Sequence, residues 1–290
     1  MQLDIFEHSR EVMLRNDAAH ALERREAQAA RAACEQLARE NPLDPSLPAL
    51  QLLAEVIESG DRGAFADHQA LRAAREAMLE SIVPAALRTF GGSAAARWLG
   101  PLWQGLAQRA APLPFKPEHG LEHAAPLWLH AGDWNAAVQA VTGIASWRRI
   151  PMPLSWMAEA SLQLHGLQST WPLLAELSWL SPHSFARVAD RSPDPQLPRW
   201  LLRFEVDFDD AGDEADLAWL PAWLLTQQPS LAKDLAAAQA SRHRPPEQAM
   251  RLLVELLGLE RQGRHHDIVA RRKALRDLSP ALYGAYIKTR

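Results

Sequence analysis

Between clusters of proline, the hydrophobic and polar positions along the chain read as a succession of helices. The clusters are Pro42, Pro45 and Pro48; Pro112, Pro114 and Pro117; Pro193, Pro195 and Pro198; and Pro245 with Pro246. Proline has no backbone N–H and clashes with the preceding turn, so at such sites it starts or stops helices. The pattern predicts helices near 9–24, 27–40, 47–59, 64–89, 94–109, 119–131, 134–146, 154–165, 169–180, 183–190, 198–207, 215–227, 230–240, 246–261, 265–277 and 280–288. Most connections are short, which makes sequential helices antiparallel neighbours. Strand-like alternation of Val, Ile and Thr is hard to find. The expected fold class is all-α, an irregular array of antiparallel helix hairpins.

Composition sharpens this picture. Alanine and leucine dominate the 290 residues while Tyr and Phe are scarce, and the best helix formers are the commonest types. The length implies either two domains or one elongated array. The breaks divide it into an N-terminal peptide, 1–8, a helical region, 9–111, and a Trp-rich and C-terminal region, 112–290. All eleven tryptophans lie between Trp98 and Trp223, set among alanines, where large rings fill the volume between closely packed helices.

Cys34 is the only cysteine, so an intrachain disulfide is excluded. The stretch Met1 to Arg15 is charged early and lacks the apolar core of a signal peptide. The longest apolar run, Leu217 to Leu225, is nine residues and contains Pro221, whereas a membrane span needs about 20. These features lead us to expect a cytoplasmic protein with no membrane partner.

Two hairpins carry a recognisable spacing. Glu118 to Pro151 places small Ala125 and Ala137 twelve positions apart, with Trp128 between them and the turn Gly132-Asp133-Trp134-Asn135. The N-terminal hairpin repeats the spacing with Ala18 and Ala30, followed by Cys34, Leu37 and a closing Pro42, although Arg25 stands where a turn glycine is usual. A third hairpin, Met250 to Pro280, turns at Gln262-Gly263-Arg264 but has Ile268 at the small position. These hairpins resemble the tetratricopeptide repeat, a 34-residue helix-turn-helix unit. They are not separated by whole multiples of that length. The resemblance implies an α-solenoid, tetratricopeptide-like, whose concave surface binds peptides or protein domains.

The formal net charge of −4 predicts no general attraction to nucleic acid. Seven acidic residues and no basic one fall in 205–216, whereas 242–290 holds eleven Lys or Arg against five Asp or Glu. His119, Glu122 and His123 fit the pattern H-x-x-E-H, in which two histidines ligate zinc and a glutamate activates water. No further acidic ligand accompanies them, and we expect both histidines at an exposed helix start. Asp207, Asp209 and Gly212 resemble the opening of a calcium loop, but Ala211 and Ala218 occupy two ligand positions. His265 and His266 read as surface residues, and Cys34 as a buried, unreactive thiol. We expect no cofactor.

The first residues carry the most specific pattern. Gln2, Leu3, Asp4, Ile5 and Phe6 resemble the pentapeptide by which bacterial replication and repair proteins dock on the sliding clamp. In such peptides the glutamine bonds at a pocket rim while the leucine and the aromatic fill apolar subsites. At a chain end the segment is expected to be extended and free, or else to cap the first hairpin. The expected function is a non-enzymatic protein–protein interaction scaffold or adaptor, docking on the clamp. The alternatives are a nucleic-acid-binding accessory using the basic C-terminal stretch, and a metal-dependent hydrolase at His119, Glu122 and His123.

Overall fold

The structure, a computed structural model, describes residues 2–60, 63–208, 212–240 and 244–290, with side chains from Arg10 onward. The described residues are helical throughout their regular structure and include no strand. The chain divides into two compact units, Met1–Asp133 and Trp134–Arg290.

The first unit contains α1 (Gln2–Glu23), α2 (Ala27–Glu40), α3 (Leu47–Glu58), α4 (His68–Ala77), α5 (Val83–Phe90), α6 (Gly92–Ala110) and α7 (Ala124–Ala131). Helices α1, α2 and α3 each contact the other two, α5 joins α3 to α6, and α4 and α7 lie against α6. Alanines mark the close approaches: Ala18, Ala30, Ala85, Ala95 and Ala107 are fully buried. The boundary placed after residue 111 by proline clustering instead falls at Asp133, because α7 packs on α6. It therefore separates the two helices of the hairpin Glu118 to Pro151.

One helix was expected over 64–89, but α4 and α5 are joined there by a π-helical turn, Met78–Ile82. Pro84 accounts for it. Its ring displaces the carbonyl four residues earlier and it supplies no N–H, and a wider turn absorbs both defects. Upstream, Asp67 caps α4 by accepting a hydrogen bond from the Ala70 N–H at 2.8 Å.

The second unit contains α8 (Trp134–Thr142), α9 (Pro151–Leu180), α10 (Pro182–Asp190), α11 (Gln196–Asp207), α12 (Leu220–Gln227), α13 (Ala232–Ala236), α14 (Pro245–Gln262), α15 (His265–Leu278) and α16 (Pro280–Lys288). Helix α9 is broken at Gly166, whose φ of +76° separates the two helices expected at 154–165 and 169–180. Helix α12 is buried from Leu220 through Thr226 and contacts α9, α11, α14 and α16. A helix that is apolar all round must be enclosed on every side, so this unit is organised around α12. Of the tryptophans, Trp98, Trp103, Trp156, Trp171, Trp179 and Trp223 are buried and the remaining five are half-buried.

Left-handed residues follow three of the helices. Gly132 (φ +75°) ends α7 and Gly263 (φ +68°) ends α14. Between α1 and α2 the same role falls to Arg25, at φ +57°. A side chain in that region costs ~1 kcal/mol relative to glycine. Here the side chain offsets the strain: its guanidinium donates to the Trp98 carbonyl and lies 5.1 Å from the centre of the Trp98 ring. Trp98 Nε1 donates in return to the Leu22 carbonyl at 2.8 Å. We predict that Arg25→Ala, which keeps the strain and loses the anchor, lowers stability in urea unfolding by about 1–2 kcal/mol. Arg25→Gly should cost less than Arg25→Ala. Equal losses would show that the backbone strain is negligible.

Candidate functional site

In the first unit, α4 presents His68, Arg72 and Arg75 at helical spacing towards residues 114–123. His68 Nε2 donates to the Pro114 carbonyl at 2.9 Å, and its ring stacks on His119 at 5.1 Å. Arg72 Nε donates to Glu122 Oε1 at 3.1 Å, and Arg75 Nη2 lies 3.7 Å from the same oxygen. Arg72 Nη2 also reaches His119 Nδ1 at 3.4 Å. His123 is the N-cap of α7, and its Nδ1 accepts from the Ala125 N–H at 3.2 Å. Phe115 meets the His123 ring edge-on at 5.9 Å.

This geometry corrects the expectation of an exposed helix start. The helix begins at Ala124; His119 ends a 3-10 turn, Pro117–His119, and a further turn separates it from His123. Glu122 is 4% exposed and His123 7%. The two histidines therefore do not occupy successive turns of one helix, and Glu122 is neutralised by guanidinium groups. Among the described residues no three His, Cys, Asp or Glu side chains form a metal-binding group. The contacts that the three residues do make tie the segment before α7 to α4.

Burial, and then the nearby His68, push the His123 imidazole down to about 4. An imidazole whose folded value lies below its unfolded value of about 6.5 leaves stability intact above that pH and removes it as pH falls towards the folded value. The loss amounts to as much as ~3 kcal/mol. We predict that His123→Asn, which retains a capping oxygen without titrating in this range, unfolds at lower pH than the parent. His123→Ala should lose about 1 kcal/mol at neutral pH with the cap. Acid titrations followed by circular dichroism would measure both, and identical acid midpoints for parent and His123→Asn would refute the assignment.

A second cluster, in the second unit, was not foreseen in the sequence. Glu176 of α9, 4% exposed, accepts from Arg148 Nη1 at 2.9 Å and from the Gln239 N–H at 2.8 Å. Glu247 of α14, fully buried, accepts from Arg251 Nε and Nη2 at 3.1 and 2.9 Å. Arg251 also donates to the Ala238 carbonyl at 3.3 Å, and Arg244 Nη1 donates to that of Trp179 at 3.0 Å. Burial raises the Glu176 carboxyl above its ordinary range; the Gln239 N–H, Arg148 and Arg251 oppose the shift, and Glu247 adds to it. The available signal was an isolated glutamate within the apolar run Leu173 to Leu177.

A carboxyl shifted by burial beside a second carboxylate meets one condition for proton transfer. Here, however, guanidinium and main-chain donors engage both groups, so the contacts observed hold α14 and its approach against α9. We predict that Arg148→Ala destabilises the second unit by about 2 kcal/mol. That is below the usual cost of orphaning a buried charge, since Arg148 is itself 31% exposed and Gln239 keeps its bond. Adding Glu176→Gln should recover most of the loss, and additive losses in the double mutant would remove the coupling.

The remaining sequence candidates are placed as follows. Gln2, Leu3, Asp4, Ile5 and Phe6 form the first turns of α1, and their side chains lie outside the described residues. An extended segment was expected at this position; the backbone is helical. Asp209, Asp210 and Ala211 also lie outside the described residues. Nearby, Asp213 and Asp216 form a reciprocal capping box and Glu214 pairs with His183 at 2.9 Å, so these carboxylates serve local structure. Cys34 is 2% exposed, and burial, reinforced by Glu35, raises its thiol to about 11. His265 and His266 are exposed at the start of α15. In the basic C-terminal stretch Arg251, Arg264, Arg271, Arg272 and Arg290 all form ion pairs with acidic residues of the same stretch. No helix among the described residues is long and apolar enough to cross a membrane.

Comparison of the chain with protein families, with curated proteins and with solved structures found no match.

Proposed function

We propose that this protein is an interaction scaffold of tetratricopeptide-like helix hairpins that docks on a bacterial sliding clamp through Gln2–Phe6. The observation that carries the reading is the resemblance of Gln2–Phe6, at the start of α1, to the docking pattern: four positions match outright and Ile5 is a conservative change from leucine. Among the side chains of α1 that the structure describes, Arg10, Val12 and Met13 are exposed, and Leu14, Ala18, Ala21 and Leu22 are buried. Docking as an extended peptide would unwind the first turns of α1 while the α1–α2 hairpin stays packed.

The α1–α2 hairpin also supports the repeat-like part of the reading, since Ala18, Ala30, Cys34 and Leu37 are all buried. The ion pairs within 242–290 engage much of the charge that a nucleic-acid interface would require, so the scaffold reading is preferred to that alternative. In the same way, the arginine contacts of Glu122 and the capping role of His123 favour a structural use of the H-x-x-E-H segment.

Ordering a short peptide costs conformational entropy, so we expect micromolar affinity, about −8 kcal/mol or weaker. Leu3→Ala combined with Phe6→Ala should abolish binding, because these side chains carry most of the apolar contact. Asp4→Ser should change it little, since the pattern accepts either residue. Calorimetry of the intact protein against a bacterial clamp is the test. Absence of heat at tens of micromolar, or binding unaffected by the double substitution, would rule the docking reading out.

A further inference from the structure

The first unit contains a cavity of about 360 Å³ between α1, the start of α3 and the end of α5. Small-molecule sites begin at about 300 Å³ and combine apolar walls with a few convergent polar groups. Here Ala19, Pro45 and Leu50 supply apolar wall, while Arg15, Asn16, Arg88 and Thr89 supply donors. The four donors differ in how they are engaged. The Arg15 guanidinium is held in place, with Nε on Asp44 at 2.6 Å and Nη2 3.5 Å from Glu11. The side chains of Asn16, Arg88 and Thr89, by contrast, have no hydrogen-bond or ion-pair partner among the described residues.

The charge balance identifies the group that matters. Asp44 is 3% exposed and is bound by Arg15 and by the Ser46 N–H at 2.8 Å. Asp44 and Glu11 together engage Arg15, which leaves Arg88 as the charged side chain lining the cavity that has no ion-pair partner among the described residues; the Asn16 amide and the Thr89 hydroxyl line the same cavity. A guanidinium with neighbouring neutral donors matches the planar or tetrahedral oxygens of an anion.

We propose that this cavity binds a small organic oxyanion, a carboxylate or phosphate ester carried on a short apolar body, with Arg88 as the principal charge contact. The inference is independent of the scaffold reading and of the sliding clamp. Calorimetric titrations of the full chain with inorganic phosphate, phenyl phosphate and benzoate would test it. We expect saturable binding of phenyl phosphate or benzoate, tighter than that of inorganic phosphate; the relative affinities of the first two distinguish a phosphate from a carboxylate site. Arg88→Gln should weaken binding at least tenfold and Thr89→Val severalfold. Arg97→Gln, which removes an exposed arginine of α6 away from the cavity, should leave binding unchanged. Arg88 is exposed, so its substitution should preserve the fold, which the thermal midpoint would verify. The proposal is overturned by absence of saturable binding up to tens of millimolar or by equal weakening from Arg97→Gln. Affinity for phenyl phosphate no greater than for inorganic phosphate, with benzoate not bound, would likewise overturn the organic-ligand assignment.

Discussion

The structure depends on close approach between helices. With no sheet among the described residues to provide a core, every helix must bury its apolar face against another helix. Fully buried alanines permit that approach in α1, α2, α5, α6, α7, α8 and α9. Large rings then occupy the volume left between the small side chains, as Trp98 and Trp103 do in the first unit and Trp179 and Trp223 in the second. The same closeness removes nearby polar groups from water, and a desolvated carboxylate requires a donor.

Arginine repeatedly satisfies that requirement. Glu122 faces Arg72 and Arg75, Glu176 faces Arg148, and Glu247 faces Arg251. The planar guanidinium offers several donors and stacks on aromatic faces, so one side chain can bridge a carboxylate, a main-chain carbonyl and a ring. Arg251 does all three, with Glu247, the Ala238 carbonyl and the Trp179 ring. A buried ion pair adds little net stability relative to an apolar pair, but its loss is costly once the site exists. The pairs of Glu122 and Glu176 join segments distant in the chain, whereas Glu247 and Arg251 pair within α14. Arg88 is different in having no such partner beside a cavity, which sets it apart from the arginines used to hold the fold together.

Much of the local structure was legible in the sequence because its causes are local. Helix-forming composition and proline placement predicted most helices, including the separate helices 154–165 and 169–180 that Gly166 divides within α9. The turn glycines Gly132 and Gly263 adopt the left-handed conformation their positions required. The small positions Ala18, Ala30 and Cys34 are buried as their spacing implied. The π-helical turn was missed although Pro84, its cause, was visible, since sequence pattern does not reveal whether a helix resumes after an interior proline.

What the sequence determined by itself is therefore the helical class, the punctuation of its helices and the residues small enough to sit between them. Tertiary structure decided the division at Asp133–Trp134, the enclosure of α12 and the partners of the buried charges. Glu122 lies 50 residues from Arg72, and Glu176 63 residues from the Gln239 N–H. Such pairings depend on which helices come together. The H-x-x-E-H segment shows the consequence: five consecutive residues resembled a zinc-binding turn of helix, but α7 starts only after them, and α4, from elsewhere in the chain, supplies the arginines that hold Glu122. Local propensity acts within a few residues, whereas the environment of a buried charge is set by whatever the fold packs against it.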